Sequence, residues 1–263
     1  MYEKIKQLNR IVVKVGTSTL AHPTGRLNLR RVQQLVKVLA DLKNMGKEII
    51  LVSSGAIGVG AGSMGMSERP RDTIAKQAAA AVGQCELMNM YGKMFGEYGH
   101  LVAQILLTKD IIEQSEKKQN AKNTFTKLLE YGVLPIVNEN DSISTEEAEF
   151  GDNDTLSAIV AVLTQAELLV ILSDIDGVYD SNPKENKDAK LIHVVENIGD
   201  IMYVAGGAGS SQGTGGMVTK LEAAKIAKLQ GGIHTIIANG NNPENLYGIV
   251  EGKPVGTLLL AQK

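Results

Sequence analysis

The stretch Arg10-Ile11-Val12-Val13-Lys14-Val15, running directly into Gly16-Thr17-Ser18-Thr19, decides how the rest of the chain is read. Ile11-Val12-Val13 is a continuous β-branched run, the pattern of a strand covered on both faces. Similar runs follow at residues 48–53, 101–107, 133–138, 168–172 and 235–238. Helical patterns lie between them, at about 29–45, 73–91, 120–131, 155–164 and 216–230. In the first of these, Val32, Leu35, Val36, Leu39 and Leu42 form one apolar stripe. Alternation of this kind predicts βαβ units: an α/β fold with a central, mostly parallel sheet and helices on both sides.

The composition narrows the class of protein. The chain has 263 residues, of which 43% are hydrophobic and 21% charged, the balance of a soluble globular protein. Its 27 Lys+Arg against 29 Asp+Glu give a net charge of −2, which argues against a nucleic-acid partner. The longest strictly apolar run, 158–163, is too short for a membrane span. Lys14 interrupts the first apolar segment, so no signal peptide is expected. Cys85 is the sole cysteine and cannot form an intramolecular disulfide, which points to a reducing, cytoplasmic setting. It lies in the Ala-rich helical stretch 78–90 and reads as a small buried apolar residue. The acidic stretch 142–151 and the Gly/Ser-rich stretch 203–216 are each followed directly by a helical pattern. Neither reads as a linker, and 1–263 is expected to be one domain with two lobes.

In open α/β sheets, ligands bind beyond the carboxyl ends of the strands. Those ends carry polar clusters here: Lys14 to Thr19, Ser53-Ser54-Gly55-Ala56, Asn138-Glu139-Asn140-Asp141-Ser142 and Ser173-Asp174-Ile175-Asp176-Gly177. Each alone is compatible with turn chemistry. Lys14 sits in a strand buried on both faces, where an ammonium is costly unless an anion or a pocket compensates it. It reads either as a snorkelling lysine or as a cation aimed at a bound phosphate. Residues 206–216 hold six glycines ahead of a helix that carries Lys220 in its first turn. Such a segment is either a Gly/Ser loop with a solvent lysine or a phosphate cradle, in which the anion offsets the clash between Lys220 and the helix dipole. Gly151-Asp152-Asn153-Asp154-Thr155 opens another helix. One acceptor suffices for an N-cap, so three in a row either cap alone or leave a group for other work.

Familiar motifs do not account for these features. The Walker pattern is absent, and the four histidines show no ligand spacing. Gly60-Ala61-Gly62-Ser63-Met64-Gly65 matches GxGxxG but starts seven residues after its strand, so the match reads as accidental. All six arginines fall within the first 71 residues, and the later clusters hold no guanidinium. Charge neutralisation then falls to Lys14, Lys220, backbone N–H groups and a metal carried by a nucleotide, an arrangement suited to phosphoryl transfer by positioning and electrostatics.

These segments together resemble the amino-acid kinase family. The resemblance spans nearly the whole chain: residues 12–18, 53–57, Asn138-Glu139-Asn140-Asp141, Gly151-Asp152-Asn153-Asp154, Asp176-Gly177-Val178-Tyr179, Gly213 to Met217, and Thr219-Lys220. The Asn-Glu-Asn-Asp and Gly-Asp-Asn-Asp pair is specific to the branch acting on glutamate. The resemblance implies a three-layer αβα sandwich, with an acceptor-binding lobe over about 1–165 and a nucleotide-binding lobe over about 166–263. It implies ATP-dependent phosphorylation of the γ-carboxylate of L-glutamate, the first step of proline synthesis, with Mg²⁺ bridging the phosphates. Lys14 and Lys220 would stabilise the transferring phosphoryl group, and Asp154 would hold both lysines. Ser54, Gly55, Ala56, Asn138, Asp141, Asp152 and Asn153 would bind glutamate. Ser173, Asp174, Thr214, Gly215, Gly216 and Met217 would line the nucleotide site with the two lysines. A homodimer or homotetramer and feedback inhibition by proline are expected from the family. The C-terminal PUA domain of many relatives is not expected, because the chain stops at Lys263 soon after Gly256-Thr257-Leu258. Rival readings are a kinase of the same fold acting on acetylglutamate, carbamate, aspartate or a nucleoside monophosphate, and a non-catalytic nucleotide-binding regulator.

Overall fold

A computed structural model describes the chain except for residues 23, 25, 112–113, 144–152, 184, 206–215 and 262–263, and the side chains of 203–205. The strands are β1 (Arg10–Val15), β2 (Glu48–Ser53), β3 (Val102–Leu107), β4 (Leu134–Glu139), β5 (Leu168–Ser173), β6 (Val194–Val195), β7 (His234–Asn239) and β8 (Thr257–Leu259). They form one sheet in the order β3-β4-β2-β1-β5-β7-β8-β6. Every pairing is parallel except β7 with β8. The chain steps from β1 to β2 on one side and later places β5 on the other. The strand order therefore reverses at β1, where a crevice opens at the carboxyl edge of such a sheet.

The helices are α1 (Thr17–Leu20), α2 (Leu29–Asn44), α3 (Ala56–Ser63), α4 (Thr73–Gly96), α5 (Ser115–Glu130), α6 (Asn153–Thr164), α7 (Gly199–Ala205), α8 (Met217–Gly231) and α9 (Asn245–Val250). They cover the two faces of the sheet and produce two hydrophobic cores. Ile11, Val13 and Val15 of β1 pack with α2, α4 and α9 residues such as Leu35, Leu39, Tyr91 and Ile249. Val12, Ile50, Val52, Leu169 and Ile171 pack with Phe125 of α5, Ile159 of α6 and Leu221 of α8. The strict period of two along each strand separates the cores and yields the expected αβα sandwich. No helix among the described residues is long and apolar enough to cross a membrane.

Helix α3 is the main element that the hydrophobic pattern does not predict. Its sequence, Ala-Ile-Gly-Val-Gly-Ala-Gly-Ser, is poor in helix formers. It is held instead by packing on α4, through glycines on both helices. A Cβ on Gly60 would overlap the carbonyl of Ala79, and one on Gly83 would overlap the carbonyl of Ala56. The GxGxxG match thus marks a close helix–helix contact and not a nucleotide fingerprint. The short strands β6 and β8, at one end of the sheet, are also absent from the pattern. With two and three residues, they are too short to show a period.

Candidate active site

Register along β1 places the first functional side chain. Val12 faces the core under α6 and α8, and Lys14, two residues on, points the same way. There its Nζ lies 2.6 Å from Oδ1 of Asp154, in the first turn of α6. Lys220, in the first turn of α8, reaches the other oxygen, with Nζ 3.1 Å from Oδ2. Thr219 Oγ1 lies 3.1 Å from Oδ2 as well and 2.8 Å from the carbonyl of Gly216. Asp154 is fully buried, and the two lysines are nearly so.

Such a triad is expensive to desolvate. Burial pushes the Asp154 carboxyl up, but the charges of Lys14 and Lys220 and their hydrogen bonds outweigh it and hold the group below the usual carboxylate range. One carboxylate between two ammonium groups leaves a surplus positive charge, on cations whose positions are fixed. The sequence left open whether Asn153 and Asp154 merely cap a helix; both side chains make contacts far along the chain.

A second group of side chains converges beside the first. Asn153 Nδ2 lies within donating distance of three acceptors: the Ser53 carbonyl at 2.9 Å, Ser54 Oγ at 2.9 Å and Asn138 Oδ1 at 2.8 Å. Asn138 Oδ1 also accepts from the Glu139 backbone N–H at 2.9 Å, and its Nδ2 donates to Gln84 Oε1 at 2.9 Å. Gln84 reaches this network from α4, in the turn where Gly83 brings α4 against α3. Ser53 Oγ meets the hydroxyl of fully buried Tyr91 at 3.0 Å, and burial raises the phenol pKa. These contacts pin the ends of β2 and β4 to the start of α6. Gly55 turns the chain from β2 into α3 with φ of +101°, a conformation that favours glycine.

Both groups open onto one cleft of about 470 Å³ at the carboxyl edge of the sheet. On the β2 and β4 side its wall includes Ser54, Gly55, Ala56, Asn138, Asp141 and Asn153. On the β5 side it includes Ser173 and Asp174, with Lys14 and Lys220 at the junction. Ser173 is anchored by its carbonyl, which accepts from the Gly240 N–H at 2.7 Å. Gly216 and Met217 begin α8, and Met217 packs against the core under that helix. Asp152, Thr214 and Gly215 lie outside the described residues. Among the described residues no cluster of three or more His, Cys, Asp or Glu side chains stands ready for a metal.

The sequence reading misplaces one residue and overlooks others. Cys85 is exposed, not buried. Helix α4 turns Ala80, Gly83, Gln84, Leu87 and Tyr91 inward, and Cys85, about 100° round from Gln84, faces out. Gln84 is overlooked because an Ala-rich stretch carries no motif; a lone amide on the inward stripe was the available signal. Arg69 and Lys76, between α3 and the first turn of α4, also line the cleft. The cleft is thus not free of guanidinium, although the later polar clusters hold none.

Comparison with known proteins gives a consistent picture. Residues 9–239 match the model of the amino acid kinase family. The glutamate 5-kinase of Clostridium perfringens is 55% identical over 268 positions, covering 100% of this chain and 99% of that one. The glutamate 5-kinase of Enterococcus faecalis is 51% identical, covering 99% of this chain and 97% of its own. Among solved structures, the UMP kinase of Bacillus anthracis superposes with a TM-score of 0.68 at 19% identity, covering 97% of each chain, which is a likeness of fold. A mostly parallel sheet with its cations at the strand-order reversal, a family match over most of the length and relatives identical at half of all positions lead to one conclusion: the chain belongs to the amino acid kinase family.

Proposed function

We propose that this chain catalyses ATP-dependent phosphorylation of the γ-carboxylate of L-glutamate, giving glutamyl 5-phosphate and ADP, the first step of proline synthesis. The observation that carries the proposal is the Lys14–Asp154–Lys220 bridge at the floor of a polar cleft. It is supported by the identity to proteins named glutamate 5-kinase.

In this reading, residues from about 166 to 263 serve the nucleotide and those from about 1 to 165 serve the acceptor. A γ-carboxylate oxygen attacks the terminal phosphorus of ATP, the bond from that phosphorus to the bridging oxygen breaks, and ADP leaves with the electron pair. Negative charge shifts onto the bridging oxygen. Lys14 and Lys220, held in place by Asp154, meet the transferring oxygens without having to reorganise. Ser173, Asp174 and residues 214–217 with Lys220 border the nucleotide. Magnesium, when bound, neutralises phosphate charge. Both Asp154 oxygens are engaged by lysines, so the donor set fits a metal held through the phosphates.

At the acceptor end, Asp141 complements the α-ammonium by charge. Ser54 Oγ accepts from Asn153, which frees its own proton to donate to a substrate oxygen. Asn153 Oδ1 is left as an acceptor, and Gly55 and Ala56 offer backbone N–H groups at the cleft wall. Asn138 spends most of its capacity on Gln84, Glu139 and Asn153 and keeps one Nδ2 hydrogen for the cleft, and Asp152 adds a carboxylate to this end. A cytoplasmic homodimer or homotetramer restrained by proline completes the proposal. It is tested by ATP-dependent hydroxamate formation with glutamate, acetylglutamate and aspartate in parallel. Product with glutamate is expected; product with only aspartate or acetylglutamate would overturn the acceptor assignment.

A further inference from the structure

Two cations on the cleft wall have no part in the chemistry above. Arg69 precedes α4, and Lys76 is the fourth residue of that helix. Both line the 470 Å³ cleft, and both also border a second, more open hollow beside it with Glu68, Pro70 and Arg71. The one carboxylate of that hollow, Glu68, lies 3.7 Å from Arg71. Among the described residues, no salt bridge takes up Arg69 or Lys76. The amino end of α4 is already capped by Asp72, whose side chain accepts from the Ala75 N–H at 2.9 Å. A lysine in the first turn of a 24-residue helix opposes the dipole, so its place there calls for an anion.

The acceptor brings that anion. Glutamate carries two carboxylates and one ammonium. Its γ-carboxylate must face the transferred phosphoryl group at Lys14 and Lys220, and its ammonium faces Asp141. The α-carboxylate is then left at the far end. The segment joining β2 to α4 lies on that side, because it begins with Ser54 and Gly55 on the cleft wall, next to Asn138 of the neighbouring β4. We infer that Arg69 and Lys76 bind the α-carboxylate of the acceptor and make a free α-carboxylate a requirement of the site. The guanidinium fork suits a carboxylate, and Lys76 adds a point charge beside it. The inference rests on the proposed function and specifies which end of the substrate this part of the cleft reads.

The test compares glutamate with its 1-amide, isoglutamine, which keeps the ammonium and the γ-carboxylate but carries no α-charge. The wild-type chain should use isoglutamine about 10- to 100-fold less well in kcat/KM, the loss typical of one charge-assisted contact. In an Arg69→Gln/Lys76→Gln double variant, kcat/KM for glutamate should fall by a similar factor. Use of isoglutamine and the KM for ATP should stay within about threefold of wild type, so that the preference collapses. Equal use of the two substrates by the wild type, which requires no variant, would overturn the inference. So would a variant that loses both substrates equally or shows a raised KM for ATP, the pattern of general electrostatic steering. Absence of any glutamyl phosphate in the wild type would instead sink the proposed function itself.

Discussion

Lys14 Nζ lies 2.6 Å from Asp154 Oδ1, joining the end of β1 to the first turn of α6, and Lys220 holds the opposite oxygen of the same carboxylate. One fully buried aspartate therefore fixes two cations that come from distant parts of the chain. Replacing it by asparagine keeps the shape but removes the charge and turns an amide N–H₂ toward one of the lysines. Asp154→Asn should lose about 3–5 kcal/mol of stability, the usual result of breaking a buried ion pair. Its kcat should fall about 100-fold or more. Denaturant unfolding and the hydroxamate assay read the two effects separately.

The same carboxylate predicts an acid limb. Its pKa in the folded chain is lowered from the ordinary value of 3.8, because the lysine charges outweigh burial. A depressed carboxylate contributes stability above its unfolded pKa and loses it as pH falls through the folded value. The stability gap between the wild type and Asp154→Asn should thus be full near pH 7 and shrink below about pH 4. Unfolding titrations across that range measure it, and a gap independent of pH would argue against an ionised Asp154.

Gly83→Ala tests whether helix packing sets the acceptor end. The added methyl would overlap the Ala56 carbonyl and stand 2.8 Å from its carbon, so α3 and α4 must separate. A loss of about 1–3 kcal/mol is expected, the typical cost of overpacking. Because the neighbouring Gln84 holds Asn138, the KM for glutamate should rise more than the KM for ATP.

How much of this was legible in the sequence follows from what each residue does. The central strands declare themselves, because β1, β2 and β5 are buried on both faces and read as apolar runs, interrupted in β1 by Lys14. Lys14, Asn153, Asp154 and Lys220 stood out because a charge or a surplus of caps in such a place requires a partner. Helix α3 did not, since its stability comes from a tertiary contact that local propensity opposes. Arg69, Lys76 and Gln84 were hidden for a related reason: ordinary residues on a connecting loop or a helix gain their meaning only when the fold turns them toward the cleft or its supporting network. Cys85 was misread because Ala-rich composition gives no phase to α4.

Asp141 offers a test of substrate orientation. Asp141→Asn removes the charge assigned to the α-ammonium while preserving size. The KM for glutamate should rise about 10-fold or more, in line with the loss of a charge-assisted hydrogen bond, and the KM for ATP should barely move. Equal effects on both substrates, measured by steady-state kinetics, would place Asp141 elsewhere.

The role of the paired lysines is tested most directly by the turnover of Lys220→Ala at saturating ATP and glutamate. Loss of one preorganised cation from the transferring phosphoryl group should lower kcat about 10²–10³-fold. A folded variant that turns over at close to the wild-type rate would contradict the account.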